Sequence, residues 1–402
     1  MEKKELRVGI FGLGRGGAFV GNSMNCGGKI VAFCEKREKE LFGLKEMYGE
    51  DTGVYTNFED FINHPNMDVV FIANFFNEHA ACAIAALERG INVISECLSN
   101  VTMAEGVALV RAQQKSTALY QMLENYPYSK SNQELARVYK GGTLGKALYC
   151  EGEYNHPIIC NGKPAETNYI RPYHEHWRNH LPRTYYITHS LGPLMYVTGA
   201  MPKRVTAMPV YFPQGDSMAG PCVKDRAAII TTLNDDDSVF RVTGCSGFGG
   251  HVSGYRFCCD KGEIESVRGM DDMIMLSYDK SCIPEGLEQH NLYEAKWNDP
   301  DEEIIKNSSH EGSDYGAVRD CFAAIRGEAA PVWDVHRAVA MSSVAILGHR
   351  SLLQNGVPYD IPDFRDEEQQ KLYENDHDTP FYDSFGGKPT IPASSHSEDF
   401  YK

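Results

Sequence analysis

The run Val8-Gly9-Ile10-Phe11-Gly12-Leu13-Gly14-Arg15-Gly16-Gly17 constrains this chain more than any other stretch. A short apolar strand runs into Gly12, Gly14 and Gly17 at the spacing G-x-G-x-x-G, and Ala18-Phe19-Val20 onward can open a helix. The N–H groups at such a helix start suit a pyrophosphate. Gly12 is expected to permit the tight turn, Gly14 to let a phosphate approach the backbone, and Gly17 to let helix and strand pack closely. A second apolar strand, Lys29 to Cys34, ends at Glu35. That is close to the ~20-residue offset of an acid that binds an adenosine ribose. A carboxylate there accepts from the 2′-OH and repels a 2′-phosphate. NAD is therefore expected over NADP, a preference that Lys36 and Arg37 weaken.

The next segments repeat the same alternation. Glu38 to Tyr48 reads as a helix, Gly53 to Thr56 as a short strand and Phe58 to Ile62 as a helical turn. Asp68 to Ala73 is apolar almost throughout, as a strand covered on both faces must be. An Ala-rich helix from His79 to Arg89 stops at Gly90, and strands follow at Ile91 to Ser95 and Leu119 to Leu123 around a helix at Thr102 to Gln114. This pattern defines an α/β class with a doubly wound parallel sheet. Ligands of such sheets bind beyond the carboxyl ends of the strands, which brings Asn74 to His79 and Glu96 to Asn100 beside the cofactor.

From about Glu124 the character changes. After a helix at Ser129 to Tyr139, strands dominate: Ala147 to Tyr154, Val205 to Tyr211, Arg226 to Leu233, Val239 to Cys245 and Tyr255 to Asp260. Turn-rich links such as Asn234 to Asp237 and Phe248 to Gly250 point to a mainly antiparallel sheet. Helices return at Asp314 to Arg326 and Trp333 to Leu353. The expected organisation is a cofactor domain at 1–124, a substrate and oligomerisation domain at 125–362, and a tail at 363–402 that is polar and loosely wrapped or partly disordered.

Bulk properties narrow the partners. The formal net charge is −16 and no Lys/Arg block stands out, which argues against nucleic acid. No apolar run approaches the ~20 residues of a membrane span. The opening Met1 to Leu6 lacks an apolar leader core, so a cytoplasmic location is expected. The 12 cysteines form no C-x-x-C pair and read as reduced, small buried groups.

Taken together, Gly12 to Gly17, the acid after the second strand, and Ile72-Ala73-Asn74-Phe75-Phe76-Asn77-Glu78-His79 resemble the Gfo/Idh/MocA oxidoreductase family, roughly from Arg7 to Tyr359. The resemblance implies an N-terminal Rossmann domain and a C-terminal α/β domain with an open, mainly antiparallel sheet. It places Gly12, Leu13, Gly14, Arg15, Gly17, Glu35, Asn74, Asn77, His79 and Glu96 at the cofactor. It further implies a homodimer or homotetramer, because the open sheet commonly packs on another subunit. The family's Glu-Lys-Pro, however, is replaced by Glu96-Cys97-Leu98. A thiol cannot polarise a sugar hydroxyl as an ammonium does.

A subgroup without that lysine fits better: the NAD-dependent glycoside hydrolases typified by α-N-acetylgalactosaminidase. Its Tyr-x-Thr-His-x-Leu-Gly-Pro is similar to Tyr186 to Pro193, its Met-x-Glu-Asn to Met122 to Asn125, and its His-x-Gly-x-Asp to His310 to Asp314. Glu151 to His156 matches a further run but lacks that run's first glycine. By this likeness His189 assists proton loss from the C3 hydroxyl, Tyr154 handles the C2 proton and Tyr186 donates in the pocket. Hydride leaves C3 for NAD+, the anomeric group is eliminated, water adds, and the hydride returns. Two other readings stay open: a plain NAD-dependent sugar or polyol dehydrogenase, and a non-catalytic NAD-binding sensor.

Cys160 to Arg183 does not fit the subgroup and is expected to shape the sugar pocket, with His156, Arg171, His174, His176 and Trp177 as contacts. His174-Glu175-His176 with His180 and His189 also has the character of a zinc or manganese site. The flanking Arg171, Trp177 and Arg178 favour sugar contact, and no metal is assigned.

Overall fold

Strands that are apolar on both faces dictate the first layer. The structure, a computed structural model, describes residues 4–155, 159–160, 163–164, 175–211, 225–244, 250, 252–270, 272–296, 299–383 and 387–395. In chain order come β1 (Leu6–Phe11), α1 (Leu13–Asn25), β2 (Gly28–Cys34), α2 (Leu44–Tyr48), β3 (Gly53–Tyr55), α3 (Phe58–Ile62), β4 (Val69–Ile72), α4 (His79–Glu88), β5 (Asn92–Ser95), α5 (Met103–Lys115) and β6 (Tyr120–Met122). The strands are all parallel, in the order β3-β2-β1-β4-β5-β6. Every residue of β4 is buried, as a central strand between two helical layers requires.

Next come α6 (Lys130–Lys140), β7 (Ala147–Asn155), the paired β8 (Ile159–Cys160) and β9 (Lys163–Pro164), and α7 (Thr188–Thr198). The strands β10 (Pro202–Tyr211), β11 (Asp225–Asn234), β12 (Val239–Gly244), β13 (Val252–Cys259), β14 (Gly262–Ser266), β15 (Met273–Tyr278) and β16 (His290–Glu294) follow. The chain ends with α8 (Glu302–Lys306), α9 (Ser313–Ile325), α10 (Val335–Leu353), β17 (Tyr359–Asp360) and α11 (Glu367–Lys371). The second sheet runs β16-β15-β14-β13-β7-β12-β11-β10-β17 and is antiparallel except for the β12–β7 pair. The α/β class, with one parallel and one mainly antiparallel sheet, is as the sequence reading expected.

Two compact units result, neither continuous in sequence. One comprises Met1–Tyr128, Asp299–Val339 and Phe364–His377; the other comprises Ser129–Asn298, Ala340–Asp363 and Asp378–Lys402. In the first, α9 lies against α1, and Phe322 of α9 packs on Phe71 of β4.

Three local expectations need correction. The helix read over Glu38 to Tyr48 is broken: a 3-10 turn at Glu38–Leu41 stops before Gly43, whose φ of 77° a helix interior cannot carry, and α2 starts after it. Strands β14, β15 and β16 lie beyond the last strand expected at Asp260. The tail is not loosely wrapped where it is described. Phe364, Phe381, Ala393 and Ser394 are all buried, and Ser395 hydrogen-bonds Asp225 through its N–H (3.1 Å) and its hydroxyl (2.7 Å). Among the described residues, no helix is long and apolar enough to cross a membrane, and nine cysteines, Cys150 and Cys321 among them, are in no disulfide.

Candidate active site

The first unit presents a cradle at the carboxyl ends of β1, β2, β4 and β5. Helix α1 starts straight after Gly12, whose φ is 87°, and a Cβ there would stand 2.5 Å from the Ala73 carbonyl oxygen. Only glycine fits that turn. The glycine that brings helix and strand together is Gly16, where a Cβ would meet Ile10 Cγ2 at 2.9 Å and Ala73 Cβ at 3.4 Å. Gly17, expected in that role, is exposed, and a Cβ there would meet nothing within 4 Å among the described residues. Gly14 is open as well, with only Arg37 Nη2 at 3.9 Å from its ideal Cβ, so a phosphate has room to reach the main chain.

Glu35 closes one side. Its Oε2 accepts the Leu13 N–H at 3.0 Å, and its Oε1 accepts the Arg37 N–H at 3.1 Å. Arg37 Nε and Nη2 add bonds of 3.2 and 3.1 Å. Burial by itself would raise this carboxyl, but the bonds from Arg37 and the backbone outweigh it and hold the pKa below the usual range. Glu35 is thus an ionised acceptor at the end of β2, as a ribose hydroxyl needs. With the Leu13 N–H committed to Glu35, Gly14 and Arg15 offer the first-turn N–H groups that lack partners within the helix.

The other strand ends complete the cradle. Asn74 donates to Glu78 Oε2 at 2.7 Å, while its Oδ1 is buried with no partner among the described residues. An orphaned acceptor at the end of β4 fits a bound polar group. Asn77 lies in the 3-10 turn Phe76–Glu78. His79 is fully buried, and its Nδ1 faces the Leu98 carbonyl at 3.1 Å. Burial lowers its pKa, so a neutral ring braces the turn after β5. Glu96 accepts from Arg15 Nε at 2.8 Å and from the Cys97 N–H at 2.8 Å. The Arg15 side chain therefore engages carboxylates rather than standing ready for a phosphate.

Sequence reasoning gave no role to Glu124, although it marked the Met122 to Asn125 strand end. Glu124 is fully buried beyond β6, with Oε1 on the Tyr126 N–H at 3.1 Å and Oε2 3.4 Å from Cys97 Sγ. The position that carries a lysine in ordinary family members is here a thiol beside a buried carboxylate.

The second unit gathers the three residues expected to be catalytic. Tyr154 comes from β7, Tyr186 from the 3-10 turn Arg183–Tyr186, and His189 from the first turn of α7. Their ring centroids lie 5.0 Å (Tyr154–His189), 5.4 Å (Tyr186–His189) and 5.8 Å (Tyr154–Tyr186) apart, all edge-on. Two glycines make this possible. A Cβ on Gly152 would collide with the Ser190 carbonyl, and one on Gly244 with that of Arg183. The helix and the turn thus press directly on β7 and β12. Ser190 Oγ donates to the Thr243 carbonyl at 2.8 Å, and Tyr255 Oη donates to the His189 carbonyl at 2.6 Å, which fixes the start of α7.

His156, Arg171 and His174 lie outside the described residues. His176 is buried, and its Nδ1 accepts the Arg178 N–H at 3.1 Å, capping the 3-10 turn Trp177–His180. It stacks on Trp177 at 5.6 Å, with the Arg178 guanidinium 4.4 Å from the indole. His180 packs edge-on against Tyr382 at 5.1 Å. Among the described residues, no group of three or more His, Cys, Asp or Glu could hold a metal ion.

A Rossmann sheet with a glycine loop, a strand-end acid and an orphaned acceptor, joined to a unit with an open sheet, defines a two-domain nucleotide-dependent oxidoreductase fold. Residues 6–123 match the oxidoreductase family with an NAD-binding Rossmann fold, and residues 261–371 match the glycosyl hydrolase 109 C-terminal domain. The chain thus resembles the Gfo/Idh/MocA oxidoreductases over its first 123 residues and glycosyl hydrolase 109 proteins over residues 261–371. It is an NAD-dependent enzyme.

A glycosyl hydrolase family 109 protein of Streptomyces niveus is 23% identical, covering 92% of this chain and 79% of that one. A second, glycosyl hydrolase family 109 protein 1 of Phocaeicola vulgatus, is 24% identical over 89% of this chain and 84% of its own. In fold the chain is similar to an oxidoreductase domain protein from Kribbella flavida, with a TM-score of 0.74 and 15% identity over 89% of this chain and 100% of that one. It is also similar to a levoglucosan dehydrogenase solved with NADH and L-sorbose, with a TM-score of 0.72 and 17% identity over 90% and 100%.

Proposed function

We propose that this enzyme cleaves a glycoside by oxidation, elimination and re-reduction. The observation that most supports this is the meeting of Tyr154, Tyr186 and His189 in a chain that has Cys97 where a sugar dehydrogenase of the family has lysine. Bound NAD+ supplies a hydride acceptor for sugar C3 and, at the end, the donor that restores it. His189 takes the C3 hydroxyl proton as C3 is oxidised, in the role of general base. The resulting ketone acidifies the C2 proton. Tyr154, as phenolate, removes that proton, the electron pair left at C2 forms the C1–C2 double bond, and the C1–O bond breaks, its oxygen taking a proton from solvent to leave as the alcohol. Water then adds at C1 and gives up a proton to solvent, Tyr154 returns a proton to C2, and His189 returns one to O3 as the ketone is reduced. The net change is hydrolysis without net redox.

A phenol has a pKa near ~10, so Tyr154 needs a positive charge beside it in the complex to act as a base. Tyr186 serves as a hydrogen-bond donor in the pocket. The test is to follow phenol release and NADH absorbance together on a panel of aryl α- and β-glycosides. Phenol without net NADH, lost in Tyr154→Phe, is the expected result. Net NADH from a free sugar without glycoside cleavage would replace this reading with a plain dehydrogenase.

A homodimer or homotetramer formed through the second sheet is part of the same reading. That sheet carries paired charges (Arg241–Glu151 at 2.9 Å, Arg268–Glu153 at 2.8 Å) together with the exposed Met208 and Leu292, which suits another protein surface. Light scattering that gave a monomer at micromolar concentration would reject it.

A further inference from the structure

Four stretches that the sequence marks separately converge on one buried carboxylate of the first unit. Asp314 accepts Arg15 Nη1 and Nη2 at 2.8 and 2.6 Å, Asn125 Nδ2 at 2.9 Å and Ser309 Oγ at 2.5 Å. His310 Nδ1 lies 2.8 Å from the same carboxylate. Arg15 comes from the glycine loop, Asn125 from the Met122 to Asn125 run, and His310 and Asp314 from the His-x-Gly-x-Asp run. The fourth stretch is Glu96-Cys97-Leu98, reached through Arg15 Nε and Glu96 Oε1 at 2.8 Å. A continuous line of charge-assisted bonds therefore joins the turn before α9, the glycine loop and the turn after β5.

The backbone is bent to make these contacts. His310, Glu311 and Gly312 have φ of 50°, 52° and 91°, three left-handed residues in succession, of which only the last is glycine. Such a turn is kept where its surroundings over-determine it, and what it aims is His310 Nδ1 and Ser309 Oγ at Asp314. Nδ1 meets both an acceptor and a donor, since Arg15 Nη1 is also 3.4 Å away. The shorter contact wins, so Nδ1 donates to Asp314.

We infer that the His310–Asp314 pair is a positioning device for the cofactor loop. By fixing the Arg15 guanidinium, it holds the Gly14 and Arg15 N–H groups in the arrangement that receives the dinucleotide pyrophosphate. Neither His310 nor Asp314 needs to touch the cofactor for this. The role rests on cofactor binding alone and stands or falls separately from glycoside cleavage.

The test measures the Kd of the full-length protein for NAD+ by titration calorimetry with no sugar present. Asp314→Asn is expected to weaken binding at least tenfold. His310→Ala is expected to weaken it threefold or more, and His310→Gln, whose amide can still donate to Asp314, to restore it to within twofold of the parent. Should Asp314→Asn fail to fold, the His310 variants carry the test, because that side chain is half exposed. Unchanged affinity in His310→Ala, or a Gln variant as weak as the Ala variant, would overturn the assignment.

Discussion

The Ser190 carbonyl of α7 occupies the space where a Cβ on Gly152 would stand, two residues before Tyr154 on β7. This contact sets how close the helix bearing His189 comes to the strand bearing Tyr154. Gly152→Ala should therefore push α7 off the sheet, with an overpacking cost of about 1–3 kcal/mol. Thermal unfolding and glycoside turnover should both fall. Retention of full turnover with an unchanged melting point would show that the contact is not required.

The two neighbouring glycines of α1 should behave in opposite ways. Gly16→Ala meets Ile10 and Ala73 and should destabilise. Gly17→Ala meets open space inside a helix and should stabilise by roughly 0.5–1 kcal/mol, because alanine loses less backbone entropy. Urea unfolding of both variants checks the pair; equal effects would contradict the assignment of Gly16 as the packing glycine.

Glu35→Ala should weaken NAD+ binding by about tenfold or more, the scale of a lost hydrogen bond to a charged group. It also frees Arg37, which Glu35 now holds at 3.1 Å, to meet a 2′-phosphate. Binding of NADP+ should therefore improve relative to NAD+. An unaltered ratio of the two dissociation constants would place the ribose elsewhere.

His349 gives a pH signature. It is fully buried in the second unit, its Nε2 is 2.7 Å from the Pro392 carbonyl, and burial, partly offset by that bond, pushes its pKa from 6.5 to about 4. The unfolded chain takes up a proton here that the folded one refuses. Stability should thus fall as pH drops from the unfolded value through the folded one, then level off. The shift corresponds to about 3 kcal/mol. In His349→Gln the loss of urea stability between pH 7 and pH 4 should shrink by that order, and an undiminished loss would refute it.

Phe381→Ala tests the packed tail. The ring is buried 5.2 Å from Tyr185, next to Tyr186, and its loss should cost about 3–5 kcal/mol. A neutral effect would favour the loosely wrapped tail expected from composition.

The parallel sheet was legible because its strands are apolar throughout and its helices carry clear stops such as Gly90. The meeting of Tyr154, Tyr186 and His189 was legible only through resemblance to a family, since β7, a 3-10 turn and α7 meet by tertiary packing. Other features were hidden for physical reasons. Motif spacing does not reveal whether Gly16 or Gly17 faces the sheet. Strand β14 buries only Ile264 between outward glutamates, too short an alternation to stand out. The tail is held by single anchors such as Phe364 and Phe381 in a polar run, which composition reads as disorder. Asp314, one of the two carboxylates that Arg15 engages, lies 299 residues away, beyond any local pattern.

The divided first unit has a consequence for how the protein comes into being. While residues 1–128 leave the ribosome, Phe71 lacks its contact with Phe322, and Arg15 lacks Asp314, because α9 has not yet been made. The cofactor unit can close only after the intervening residues 129–298 have been synthesised. A severed N-terminal fragment would thus carry the whole nucleotide motif and still not be a nucleotide-binding protein.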